Sequence, residues 1–100
     1  MVTIITGDRG FADYDKFCDF LAEIGTDITY VYIMGSQGAN RLGARWAFEN
    51  DIPIKEFPKT IRKFMIEQAE DIIYFKRKRS DPELLQLARK GGLEIYEYEF

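Results

Sequence analysis

One hundred residues with 14 basic and 17 acidic side chains, a net charge of −3, form a single domain with no global attraction to nucleic acid or anionic lipid. One cysteine and no histidine exclude disulfides, Cys/His zinc sites and histidine acid–base chemistry, and an apolar share of 46% excludes disorder. No apolar run approaches the ~20 residues of a membrane span, and no secretory signal is visible. A cytoplasmic location without membrane contact is the expectation. The spacing of carboxylates suggests no metal site, and no cofactor is expected.

Val2–Thr6 is a short β-rich run ending at Gly7. Asp13 is placed to cap a helix whose apolar residues Tyr14, Phe17, Cys18, Leu21 and Ile24 share one face, and Gly25 ends it. Thr29–Met34 is a second strand. A second helix runs from Asn40, read as its N-cap, to about Asn50, with Leu42, Trp46 and Ala47 inward. Gly43 within it costs roughly 1 kcal/mol against alanine, which close packing on the sheet would justify. Arg41 and Arg45, four apart, read as a solvated face.

Ile52–Phe57 is a third strand, with Pro53 better suited to its start or edge than its middle. Thr60–Ala69 is a helix with Ile61, Phe64, Met65 and Ala69 on one side. Asp71–Phe75 is a fourth strand. Asp81 caps and Pro82 opens a last helix with Leu84, Leu87 and Ala88 inward. Gly91-Gly92 closes it, and Leu93–Phe100 is the last strand. Its Glu94, Glu97 and Glu99 read as protection of a sheet edge.

Strands alternating with helices predict a Rossmann-like three-layer α/β sandwich, with a five-stranded, mainly parallel sheet in the order 3-2-1-4-5. Ligands in such sheets sit at the carboxyl ends of the strands, beside the point where strand order reverses. Three loops converge there: Gly7–Phe11, Gly35–Asn40 and the basic run that starts at Lys76 and ends at Ser80. Strand, glycine loop, helix is also how backbone N–H groups are aimed at a phosphate. Gly35 and Gly38, three apart, would let the backbone approach such a ligand closely.

Thr6-Gly7-Asp8-Arg9-Gly10-Phe11-Ala12-Asp13 resembles the Thr-Gly-Ser-Arg-x-Phe-x-Asp opening of the YspA-like proteins, a bacterial and phage branch of the SLOG superfamily. Gly35 to Ala47 resembles that branch's Gly-Ala-x-Gly-Ala-Asp-x-Leu-Ala-x-x-Trp-Ala, with Gly35, Gly38, Ala39, Leu42, Trp46 and Ala47 matching. Ile52-Pro53 and Phe57-Pro58 are similar to the family's next strand. The resemblance covers the first two-thirds of the chain. It implies a Rossmann-like domain that binds nucleotides or nucleotide-derived ligands for sensing or processing, often in phage and bacterial conflict.

The departures from the family pattern are specific. Asn40 replaces an Asp. The segment after Pro58 is shortened, with Arg62-Lys63 a loose echo of a Gly-Pro-x-Arg-Asn element. Lys76-Arg77-Lys78-Arg79-Ser80-Asp81 stands where the family has a second glycine loop. No equivalent of the catalytic glutamate of distant relatives appears. Glu83 is the nearest candidate, and the dipole of the last helix explains it equally well.

The expected ligand-binding residues are Gly7, Asp8 and Arg9, then Gly35, Ser36, Gln37, Gly38, Ala39 and Asn40, then Lys76, Arg77 and Ser80. Two readings follow. One is non-catalytic binding of a nucleotide-type small molecule by a sensor or sequestering protein. The other is a degenerate scaffold that uses its basic loops to bind a protein partner, a second copy or, less favoured, nucleic acid. No catalytic residue is assigned.

Overall fold

The computed structural model describes residues 1–100. In chain order it runs β1 (Val2–Gly7), α1 (Tyr14–Ile24), β2 (Tyr30–Ile33), α2 (Ala39–Glu49), β3 (Ile54–Glu56), a 3-10 turn (Lys59–Ile61), α3 (Arg62–Gln68), β4 (Asp71–Lys76), α4 (Glu83–Lys90) and β5 (Glu94–Glu99). The five strands form one all-parallel sheet in the order β3-β2-β1-β4-β5, flanked by the four helices. This is the Rossmann-like sandwich that the alternating pattern predicts. No helix is long and apolar enough to cross a membrane.

Consecutive apolar residues in β1 and β4 point to opposite faces, so each strand feeds two cores. Ile5, Val31, Ile33, Ile73 and Phe75 pack against Phe17 and Leu21 of α1 and Ala39, Leu42 and Ala47 of α2. Ile4 and Ile72 pack against Met65 and Ile66 of α3 and Leu84, Leu85 and Ala88 of α4. Gly43 sits where α2 crosses β1. A Cβ there would lie 2.9 Å from Cγ2 of Ile5, so the glycine does set the closeness of helix and sheet.

The caps of α1 follow the sequence: Asp13 accepts from Lys16 N–H, and Gly25 closes the helix in the left-handed conformation, φ 67°. Three expectations are corrected. Asn40 is not an N-cap, because α2 starts one residue earlier, after Gly38. Pro82 rather than Asp81 is the N-cap of α4; Asp81 instead accepts from Gln86 and pairs with Arg89. Ile61 and Phe64 are exposed, whereas Met65 and Ile66 are buried. The 3-10 turn advances about three residues per turn against 3.6 in an α-helix, which rotates the apolar stripe of α3 away from the expected register.

Asp71 opens β4, fully buried opposite Thr3 of β1 and Glu94 of β5. Neither of its carboxylate oxygens, nor the Thr3 hydroxyl, has a hydrogen-bond partner. Burial pushes the Asp71 carboxyl above its ordinary value of 3.8. Because the folded-state value is the higher one, this group favours folding fully below the unfolded value and loses that contribution as pH rises through the folded value. Asp71→Asn is therefore expected to melt above the parent at pH 7, the difference shrinking as pH approaches 4. Thermal melts across that range check it, at about 4–8 °C per kcal/mol for a domain of this size. A pH-independent difference would be inconsistent with the burial of a charge.

Candidate functional site

The loop after β1 is fixed by four contacts that bracket Arg9. Asp8 N–H donates to Phe75 O at 2.8 Å, and Phe11 N–H donates to Asp8 O at 3.2 Å. Gly10 N–H donates to Oδ1 of Asp8 at 2.7 Å, closing an Asx turn. The Phe11 ring stacks on Phe75 with centroids 4.7 Å apart. Arg9 stands at the apex of this short arch, exposed and without an ion-pair partner.

The loop after β2 is held from two sides. Oδ1 of Asn40 accepts from Met34 N–H at 2.8 Å, stitching the first turn of α2 to the end of β2. Gly38 adopts φ 59° and ψ −133°, a region nearly reserved for glycine. A Cβ on Gly38 would lie 2.4 Å from both Cα of Arg9 and the Asp8 carbonyl oxygen. Gly38 is thus required for packing of one loop on the other, not for approach of a ligand. Leu42 N–H is the first to close a helical bond, onto Gly38 O, and the N–H groups of residues 35–41 find no acceptor in the chain.

These loops border a cleft of about 620 Å³ at the carboxyl ends of β1, β2 and β4, beside the β1/β4 reversal point. Of the expected residues, Gly7, Arg9, Gly35, Ser36, Gln37 and Asn40 line it. Gly38 lies on the opposite side of its loop, while Asp8, Ala39, Lys76, Arg77 and Ser80 do not line the cleft. Two of the four cations in the basic run are engaged elsewhere, while Lys78 and Arg79 form no ion pair. Lys76 Nζ lies 3.5 Å from Glu97 and Glu99 and donates to Ser80 O. Arg77 pairs with Asp8 at 3.3 Å and stacks on Phe100. Ser80 Oγ turns back to Arg77 O.

The opposite wall comes from residues not anticipated as ligand contacts: Lys59, Arg62, Tyr74, Pro82, Glu83 and Leu84. Arg62 donates to Oε1 of Glu83 at 2.6 Å and to Lys59 O at 3.1 Å. The Arg62 guanidinium holds the Glu83 carboxyl below the usual carboxylate range. Burial, helped by the charge of Asp8, holds the Tyr74 hydroxyl above its ordinary value. Neither group changes protonation near neutral pH, so the cleft offers fixed charges and hydrogen bonds rather than a proton-transfer pair. No cluster of three metal-ligating side chains forms.

Charge is distributed unequally between the two edges of the sheet. The connections entering the strands carry Asp27, Asp51 and Glu70 and no basic residue. Those leaving the strands carry Arg9, Lys59, Arg77, Lys78 and Arg79. Their acids Asp8, Asp13 and Asp81 are engaged with Arg77, the α1 N-terminus and Arg89. A net negative chain thus presents its positive edge at the cleft.

No profile of a protein family, no curated protein and no solved structure matches this chain. The fold is therefore established by the strand order alone, and fold alone assigns no activity.

Gly38→Ala is expected to destabilise the chain by about 1–3 kcal/mol, the cost of a non-glycine residue in that conformation, with further loss from the collision with Arg9. Denaturant unfolding checks this; a midpoint equal to the parent's would show that the loop yields.

Proposed function

We propose that this chain binds a small phosphorylated molecule of the nucleotide class in the cleft between the Gly35–Asn40 loop and α3, without transforming it. The observation that carries the reading is the facing of two complementary surfaces. On one side stand Gly35, Ser36, Gln37 and Asn40, whose backbone N–H groups have no acceptor, and on the other Lys59 and Arg62, with Arg9 at the rim. The volume of about 620 Å³ falls within the ~300–1,000 Å³ of small-molecule sites. Met34, Pro82 and Leu84 give a short apolar flank for a base or sugar. The resemblance of the two glycine motifs to the SLOG superfamily supports a nucleotide over other phosphorylated compounds, and a sensor or sequestering role over catalysis.

Glu83 occupies only Nη2 of Arg62, and the Lys59 carbonyl only Nη1, which leaves part of the five-donor guanidinium for a phosphate oxygen. A hydrogen bond from such a charged donor is worth about 1.5–3 kcal/mol. The scaffold alternative rests on Lys78 and Arg79 alone, because Lys76 and Arg77 are already matched by Glu97, Glu99 and Asp8.

Calorimetry across nucleoside mono-, di- and triphosphates tests the reading, with at least one expected to bind tighter than ~1 mM, about −4 kcal/mol. Removing both cations, Lys59→Ala with Arg62→Ala, is expected to weaken that ligand about tenfold or more, from the loss of two charge-assisted contacts. Glu83→Gln is expected to tighten it by freeing Arg62. Absence of binding across the panel, or weaker binding by the Glu83 variant, would refute the assignment.

A further inference from the structure

A second cavity, about 530 Å³, lies on the other side of the glycine loop, between the loop after β1 and the outer face of α2. It shares Arg9, Ser36 and Gln37 with the first cleft, so the two cavities meet across that loop. Its own charged residues are Arg41 and Arg45, and no carboxylate lines it. The pair that reads in sequence as a solvated helix face therefore lines a concave surface with Arg9, above a floor of Phe11 and Leu42.

The three guanidinium groups differ in restraint but share one property: most of their donors are unspent. Arg9 and Arg41 have no side-chain hydrogen bond or ion pair within the chain. Arg45 Cζ stands over the Tyr14 ring, 3.8 Å from its centroid, and the guanidinium uses only Nε, on Glu49 at 3.4 Å. Tyr14 donates its hydroxyl to the same Glu49. The ring and the carboxylate orient the Arg45 fork and leave its two terminal nitrogens free. A planar fork with free parallel N–H groups matches the paired oxygens of a phosphoryl group. Three like charges lining one cavity repel each other unless water or an anion intervenes.

We propose that this second cavity is a second phosphoryl site, and that the ligand of the first cleft carries two phosphoryl groups separated by a spacer lying over Ser36 and Gln37, as a dinucleotide does. Arg9, common to both cavities, would contact the spacer. This inference rests on the reading of the first cleft as a nucleotide site, and deepens it from one phosphoryl group to two.

The isotope-labelled chain is titrated with inorganic phosphate and followed by NMR, then compared in its affinities for adenosine monophosphate and the 5′-phosphorylated dinucleotide pApA. Two separate groups of signals are expected to shift with phosphate, one around residues 35–40 and 59–62, the other around residues 9–12 and 41–45. The dinucleotide is expected to bind at least about tenfold tighter than the mononucleotide, as linked phosphoryl contacts imply. Arg41→Ala with Arg45→Ala is expected to abolish the second group of shifts and this advantage while leaving mononucleotide affinity unchanged. Arg45→Lys, which keeps the charge and loses the fork, is expected to remove most of the advantage. An unaltered spectrum outside the second cavity checks that the variants fold.

If only the first group responds to phosphate, or if the dinucleotide binds no tighter, the second site is refuted and the first stands. If neither phosphate nor either nucleotide shifts any signal, both fall.

Discussion

The fit of the first loop onto Phe75 is the constraint on which the rest of the site depends. The Phe75 backbone leaves no room for a side chain on Gly7, where a Cβ would lie 2.3 Å from the Phe75 carbonyl oxygen. The same carbonyl accepts the Asp8 N–H. Its ring is fully buried among Phe11, Phe17, Phe20 and Tyr98, with centroids 4.7 to 5.7 Å away. Each such aromatic pair adds about 0.5–1.5 kcal/mol beyond the area it buries. One residue of β4 thereby fixes where β1 ends, how its loop turns and where Arg9 projects. Gly38 then docks onto that loop, and α2 starts where Gly38 leaves it. The chain of dependence runs from an aromatic core to a charged rim.

The strands and their order were legible because β-branched and aromatic runs alternate with stripes at helical spacing, and few topologies fit that alternation. The limits of α1 were legible because Asp13 and Gly25 act through local geometry that depends on nothing distant. Asn40 is ambiguous in the sequence for a physical reason. The side chain that suits an N-cap also suits a bond across to a neighbouring strand end, and only the position of Gly38 decides between them. The register of α3 was lost to a 3-10 turn that no composition rule marks.

The site divided in the same way. Of its loop half, Gly7, Arg9, Gly35, Ser36, Gln37 and Asn40 border the cleft as expected and Asp8, Gly38 and Ala39 do not; the two contiguous segments mark the loops, while which residues face inward depends on how they pack. Its α3–α4 half could not be read, since Lys59, Arg62, Tyr74 and Glu83 come together only once two helices cover the same face of the sheet. The partners of Lys76, at the start of the basic run, are set by cross-strand register, which pairs it with Glu99 and places Glu97 beside them. Spacing along the chain holds no trace of that pairing.

The unequal charging of the two edges has an electrical consequence that the net charge conceals. The molecule is a dipole about 30 Å across, with carboxylates on the face remote from the cleft. At physiological ionic strength the screening length is about 8 Å, well short of that span. An anion seated among Arg9, Lys59 and Arg62 would be shielded from Asp27, Asp51 and Glu70, so the net −3 would impose little repulsion on it. In dilute salt the far carboxylates act at longer range and would turn the molecule during approach of an anion, presenting its positive edge first. Ionic strength would then govern the orientation and rate of such an encounter.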